Sequence, residues 1–210
     1  MLKKYWSKIL SGDSRTVLAK KNILASFLNK GLAIIISLLL VPITINYLNA
    51  EQYGIWLTIS SIVAWISYFD VGLGHGFRNR FAEAKAKGDT ELARKYVTTS
   101  YATLAIVFGC VLLITEIVNP WLNWSSILNV STSNDLLISV VRILIIGVCI
   151  TFILNVATIM LSADQKPALT AMISTLGQGV ALIVIYLLTQ FTESNMQYIA
   201  VALSLSILDL

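Results

Sequence analysis

The sequence predicts an all-α polytopic membrane helix bundle of about six transmembrane helices. Three observations predict it. Hydrophobic residues make up 57% of the 210 and charged residues only 12%, where soluble domains carry roughly 25% charged residues; mean hydropathy is +0.79. Apolar runs long enough to cross a bilayer as helices recur along the chain, separated by short polar segments. Lys and Arg concentrate in alternate connections, the pattern that sets how spans are threaded. A soluble globular fold is excluded, and the net charge of +4 serves orientation rather than nucleic-acid binding.

Residues 1–21 read as a basic cytoplasmic arm, with Lys3, Lys4, Lys8, Arg15, Lys20 and Lys21. Leu2, Tyr5, Trp6, Ile9 and Leu10 suit a short helix on the membrane surface. The following apolar run is too long for a signal peptide and no small-residue cleavage site ends it, so it is a retained first span, 22–48. Pro42 falls late in it, where a kink is tolerated if neighbours satisfy the freed carbonyl. Asn49 to Gln52 is a tight polar turn.

The second span, 53–78, organises the rest. Ile55, Ile59, Ile62, Ile66, Phe69 and Leu73 recur at helical steps and suit lipid. Ser60, Val63, Ser67, Asp70, Gly74 and Arg78 recur on the other side and suit neighbouring helices or water. Beyond it, Phe81 to Lys87 looks helical, and Gly88-Asp89 breaks that helix. The third span, 96–118, is nearly uniformly apolar after Thr99, Ser100 and Thr103, which places it at the bundle edge. Residues 119–135 form a polar connection whose Trp121 and Trp124 suit an interfacial belt.

The fourth span is 136–161. Asp164-Gln-Lys-Pro167 is a turn, with Asp164 placed to cap the next helix. The fifth span, 168–188, carries Thr170, Ser174, Gly177 and Ala181 on one face, where small residues let helices approach. A sixth, 197–210, is too short to cross, so an N-terminal fragment of a longer protein is expected. The connections near Leu48, Asn119 and Thr189 lack Lys and Arg, while the N-terminal arm, the Arg78–Lys95 segment and Lys166 carry them. The positive-inside rule then puts the N-terminus in the cytoplasm. Arg142 alone falls outside this partition.

Few residues carry chemistry. Asp70 is either a proton or cation site or an interfacial carboxylate paired with Arg78 or Lys30. Gly72, Gly74 and Gly76 lack the spacing and the preceding strand of a dinucleotide loop; a pliable, closely packed helix end is the better reading. His75, beside them, reads as structural. Arg142 either recognises phosphate or carboxylate with its fork or snorkels to headgroups. Thr151, Asn155, Thr158 and Ser162 make a separate polar face that Arg142 points away from. Cys110 and Cys149 lie in apolar runs and read as small buried hydrophobes. No nucleophile–base pair, paired carboxylates or metal-ligand cluster stands out, so no enzyme activity or cofactor is expected.

Two stretches, PITINYLNAEQYGIW (Pro42 to Trp56) and YFDVGLGHGFRNRFAEAKAKGD (Tyr68 to Asp89), resemble the start of bacterial polysaccharide transporters. These are the Wzx-type O-antigen flippases of the multidrug/oligosaccharidyl-lipid/polysaccharide exporter superfamily. The resemblance covers about the first half of the chain. It implies a two-lobe bundle of twelve to fourteen helices, of which this chain is most of the N-terminal lobe, working by alternating access. It implies a bacterial inner-membrane protein that moves an undecaprenyl-pyrophosphate-linked oligosaccharide from inner to outer leaflet for polysaccharide or O-antigen biosynthesis. A polysaccharide polymerase and membrane lipids are the implied partners. In that picture Arg78 and Arg80 attract the pyrophosphate, and Asp70, Arg142 and Asn155 belong to the cavity. A cation-coupled multidrug or metabolite exporter of the same superfamily is the alternative; a membrane-bound glycan enzyme or scaffold is a more distant one.

Overall fold

The structure is a computed structural model; it describes residues 14–65, 73–164 and 167–204. These residues are helical almost throughout. In chain order they form α1 (Ser14–Leu48), α2 (Ala50–Ala64), α3 (Leu73–Ala86), α4 (Thr90–Val118), α5 (Trp124–Leu128), α6 (Asn134–Ala163), α7 (Pro167–Phe191) and α8 (Met196–Ser204), with a 3-10 turn at Asn119–Trp121. Among the described residues, four helices are long and apolar enough to cross a bilayer: Asn22–Leu48, Thr90–Trp121, Asn134–Ala163 and Ala168–Phe191. Their outward side chains explain the apolar composition. Phe27, Leu38, Ile106, Ile117, Leu176 and Ile183 are all well exposed, a surface that water would not stabilise and hydrocarbon would.

The centre of the bundle is α6. Half of its apolar stretch is buried, against 11–22% for the other three long helices. It packs against α2, α3, α4, α7 and α8. The α4–α6 pair is antiparallel: Asn119 Nδ2 donates to the Ile138 carbonyl (3.0 Å), the Phe108 and Phe152 rings stack with centroids 4.3 Å apart, and Leu104 meets the same cleft as Val156.

By contrast, α1 and α7 run parallel. Near their starts Asn29 Nδ2 donates to the Ala168 carbonyl (3.3 Å). Near their ends the Tyr47 hydroxyl meets Thr192 Oγ1 (2.9 Å) and donates to the Glu193 carbonyl (2.7 Å). Parallel helices need an odd number of passes between them. α4 and α6 supply two, and the remaining change of pole falls between α1 and α4. Gln52, at the start of α2, accepts from Ser194 Oγ (3.0 Å), while Lys85, at the end of α3, is ion-paired with Asp164. These two contacts lie at opposite poles of the bundle.

The second span, 53–78, is helical over 53–64 in α2 and 73–78 in α3, and residues 66–72 between them, Asp70 included, lie outside the described residues. Other expectations are corrected. The expected lipid face of α2 is split: Ile55 and Ile59 turn inward, while Ile62 is 42% exposed. Ile55, Trp56, Ile59 and Val63 are buried, Ser60 is half-buried, and Thr58 and Ser61 are exposed. Both hydroxyls bond back to their own helix, at Gly54 O (2.9 Å) and Leu57 O (2.7 Å), which removes the penalty of facing hydrocarbon.

The third span lies in α4, which begins at Thr90, not Tyr96, because Asp89 accepts from Leu92 N (2.9 Å) as its N-cap. Gly88 takes φ +74° in the turn before it, as the expected helix break requires. Nor is this helix free of charge beyond its start, for Glu116 sits near its end. The 119–135 connection is folded rather than merely polar: Trp124 Nε1 donates to Asn119 Oδ1 (2.8 Å) and Trp124 N to Asn134 Oδ1 (2.7 Å). Asp164 ends α6 and pairs with Lys85 across the bundle.

Candidate functional site

The site is built by α3. Phe77, Phe81 and Ala84 fall at helical spacing and are buried, with the Phe77 and Phe81 ring centroids 5.6 Å apart. Seating that stripe against the bundle leaves Arg78, Asn79 and Arg80 exposed. Arg80, a turn beyond Phe77, reaches an open cleft of about 300 Å³ between α3, α4 and α6.

The far wall comes from α4. Tyr96, Thr99, Ser100, Thr103 and Leu104 present a phenol, three hydroxyls and one leucine. Val156 and Ile159 of α6 close the bottom with aliphatic surface. Gly74 and Gly76 form the lip. A methyl group added at Gly76 would meet no atom within 4 Å, so tight packing does not explain this glycine. Its lack of a side chain leaves the cleft mouth open.

One guanidinium and several hydroxyls face an apolar floor, and no Asp or Glu lines the cleft among the described residues. Arg fits phosphate and carboxylate oxygens in pairs, and hydroxyls donate to the same oxygens. The arrangement suits an amphiphile with an anionic head and a hydrocarbon tail. It is a poor trap for a cation. Just beyond the cleft, Lys87 donates to the exposed Glu83 carboxylate (2.7 Å). That hydrogen bond, with the lysine charge, holds the Glu83 carboxyl below its ordinary range and raises Lys87.

The five candidates read from the sequence are not brought to one place. Arg80 lines the cleft. Arg78 is exposed on α3 outside it. Asn155 is half-buried beside the cleft residue Val156, and its side-chain oxygen accepts from Thr158 Oγ1. Arg142 is 13 residues back along α6, about 20 Å at 1.5 Å per residue, where its Nε is 2.8 Å from Glu116 Oε2. Asp70 lies outside the described residues. Sequence reasoning noticed Thr99, Ser100 and Thr103 without linking them to Arg80, and it missed Glu116. The signal for Glu116 was available, since it is the lone carboxylate in a long apolar run. Compared with protein-family models, with curated proteins and with solved structures, the chain gives no match.

Proposed function

We propose that this chain belongs to a membrane flippase that moves a lipid-linked oligosaccharide from the inner to the outer leaflet by alternating access. The observation that carries the reading is the cleft: Arg80 and the hydroxyls of Thr99, Ser100 and Thr103 share it with the aliphatic side chains of Leu104, Val156 and Ile159. A pyrophosphate-linked polyprenol carries the matching chemistry, oxygens at one end and hydrocarbon at the other. The basic pole of the bundle, with Arg94 and Lys95 beside the cleft on α4, would draw that head from the cytoplasmic leaflet. The six-span lobe, the second lobe, the bacterial inner membrane and the cytoplasmic N-terminus belong to the same proposal. So do the resemblance that suggested them and the undecaprenyl-pyrophosphate carrier.

The test is transport in vesicles containing the reconstituted protein and a fluorescent pyrophosphate-linked oligosaccharide lipid. Quenching from outside then reports the outward-facing fraction. Arg80→Gln should slow translocation about ten- to a hundredfold, the loss expected for one charge-assisted contact of about 1.5–3 kcal/mol, and Arg80→Lys should restore part of it. Equal rates with and without protein would end the flippase reading. The exporter alternative would be favoured if the same vesicles instead expelled small cationic amphiphiles, which a cleft with no Asp or Glu among its described residues argues against.

A further inference from the structure

Arg142 and Glu116 form an ion pair between two long apolar helices, well away from the cleft. The arginine uses one nitrogen for it: Nε lies 3.0 Å from Glu116 Oε1 and 2.8 Å from Oε2. Among the described residues, the two terminal guanidinium nitrogens make no hydrogen bond. Both side chains remain accessible, Arg142 at 43% and Glu116 at 36%. The surface around them is apolar. Leu113 lies one turn before Glu116, Ile117 beside it, and Ile146 one turn after Arg142, and all three are exposed.

Depth narrows the partner. Ile138, whose carbonyl is bonded by Asn119, marks the end of the α4–α6 contact, and Arg142 lies one turn inward, about 6 Å. Trp121, 87% exposed, caps the same end, where tryptophan marks the headgroup level of a bilayer. An arginine stem spans such a distance to reach polar atoms. Four N–H donors left bare in hydrocarbon would be costly, and the phosphate of a neighbouring lipid satisfies them in pairs.

We infer that the terminal edge of the Arg142 guanidinium is a binding site for the phosphodiester headgroup of a bilayer phospholipid at the α5 end of the α4–α6 seam. Glu116 holds the guanidinium by its inner nitrogen and turns the outer edge toward the headgroups. The site lies about 20 Å along α6 from the cleft and does not depend on the transport reading; a scaffold of this shape would carry it as well.

The experiment counts retained lipid on the full chain. The protein is reconstituted in nanodiscs of phosphatidylglycerol and phosphatidylethanolamine, extracted in mild detergent, and examined by native mass spectrometry. Wild type should keep phospholipid, and a neutral glycosyl-diacylglycerol should not replace it. Arg142→Gln should lower retention about tenfold, with Arg142→Lys intermediate. Glu116→Gln keeps an acceptor for Nε and removes the competing charge, so retention should hold or rise. A pair that is only structural predicts a different outcome: unchanged retention in Arg142→Gln, or equal loss in both variants. Either would overturn the inference. Displacement of the lipid by millimolar inorganic phosphate would assign the site to a soluble anion and overturn the lipid half of it. Should Arg142→Gln fail to fold, the Glu116→Gln result and the glycolipid comparison on wild type still decide.

Discussion

Arg80 and Gly76 sit on the same helix one turn apart and shape the cleft in opposite ways, one by charge and one by absence. Because a methyl at Gly76 touches nothing within 4 Å, a large side chain there would fill the cleft rather than strain the fold. Gly76→Leu should therefore block ligand entry while leaving thermal stability unchanged or slightly raised, since leucine favours a helix over glycine by somewhat under 1 kcal/mol. A lowered melting temperature with intact transport would contradict the placement. Asn119 makes the opposite case. It is 3% exposed and uses its amide twice, to Ile138 O and from Trp124 Nε1. Asn119→Ala should cost about 2 kcal/mol or more through the stranded partners, read as a fall in melting temperature in detergent.

Arg80 was legible in the sequence because cationic side chains cluster there. Asn119 was not, because a buried asparagine and a solvated one look alike in a polar stretch. The three hydroxyls of α4 were visible as a polar start to a span, but which helix they face is decided only when α3 packs beside them.

At the scale of elements, helix lengths and breaks were largely readable. The Gly88-Asp89 break and the fourth and fifth apolar runs fall where the helices and breaks lie, whereas the Asn22–Leu48 run is the apolar part of a helix that already begins at Ser14, inside the residues read as a separate arm. The facing of α2 was not readable, and the reason is physical. A helix between lipid and a protein core meets apolar surroundings on both sides, so hydrophobic periodicity cannot say which side is which. Ile55 and Ile59 are as suitable for the core, where they lie, as for lipid. Close approach is equally hidden. A methyl at Gly147 of α6 would come within 2.7 Å of Ser204 Cβ on α8, although nothing around Gly147 in the sequence marks it. Gly147→Ala should push α8 off α6 at a cost of about 1–3 kcal/mol, and Ser204→Gly in the same chain should recover most of it. Failure of the second change to rescue the first would show that α6 and α8 do not touch there.

For the whole molecule, the parallel α1–α7 pair supplies a ruler. Asn29 meets Ala168 at one pole and Tyr47 meets Thr192 at the other, 18 residues apart on α1. At 1.5 Å per residue that is about 27 Å, close to the hydrocarbon thickness of about 30 Å. Lys85, Lys87, Arg94 and Lys95 gather at the Ala168 pole, while Trp121 and Trp124 stand at the other. If these poles are the two membrane faces, a probe that cannot cross the bilayer must distinguish them. Cys110 is exposed and Cys149 buried, so labelling begins from a Cys110→Ser background. Lys87→Cys should react with an impermeant maleimide only when the cytoplasmic face is opened, and Trp121→Cys from outside intact cells. A reversed pattern would overturn the cytoplasmic N-terminus and keep the bundle. Both positions labelled from one face would instead break the odd number of passes between α1 and α7, and with it the threading of every helix described above.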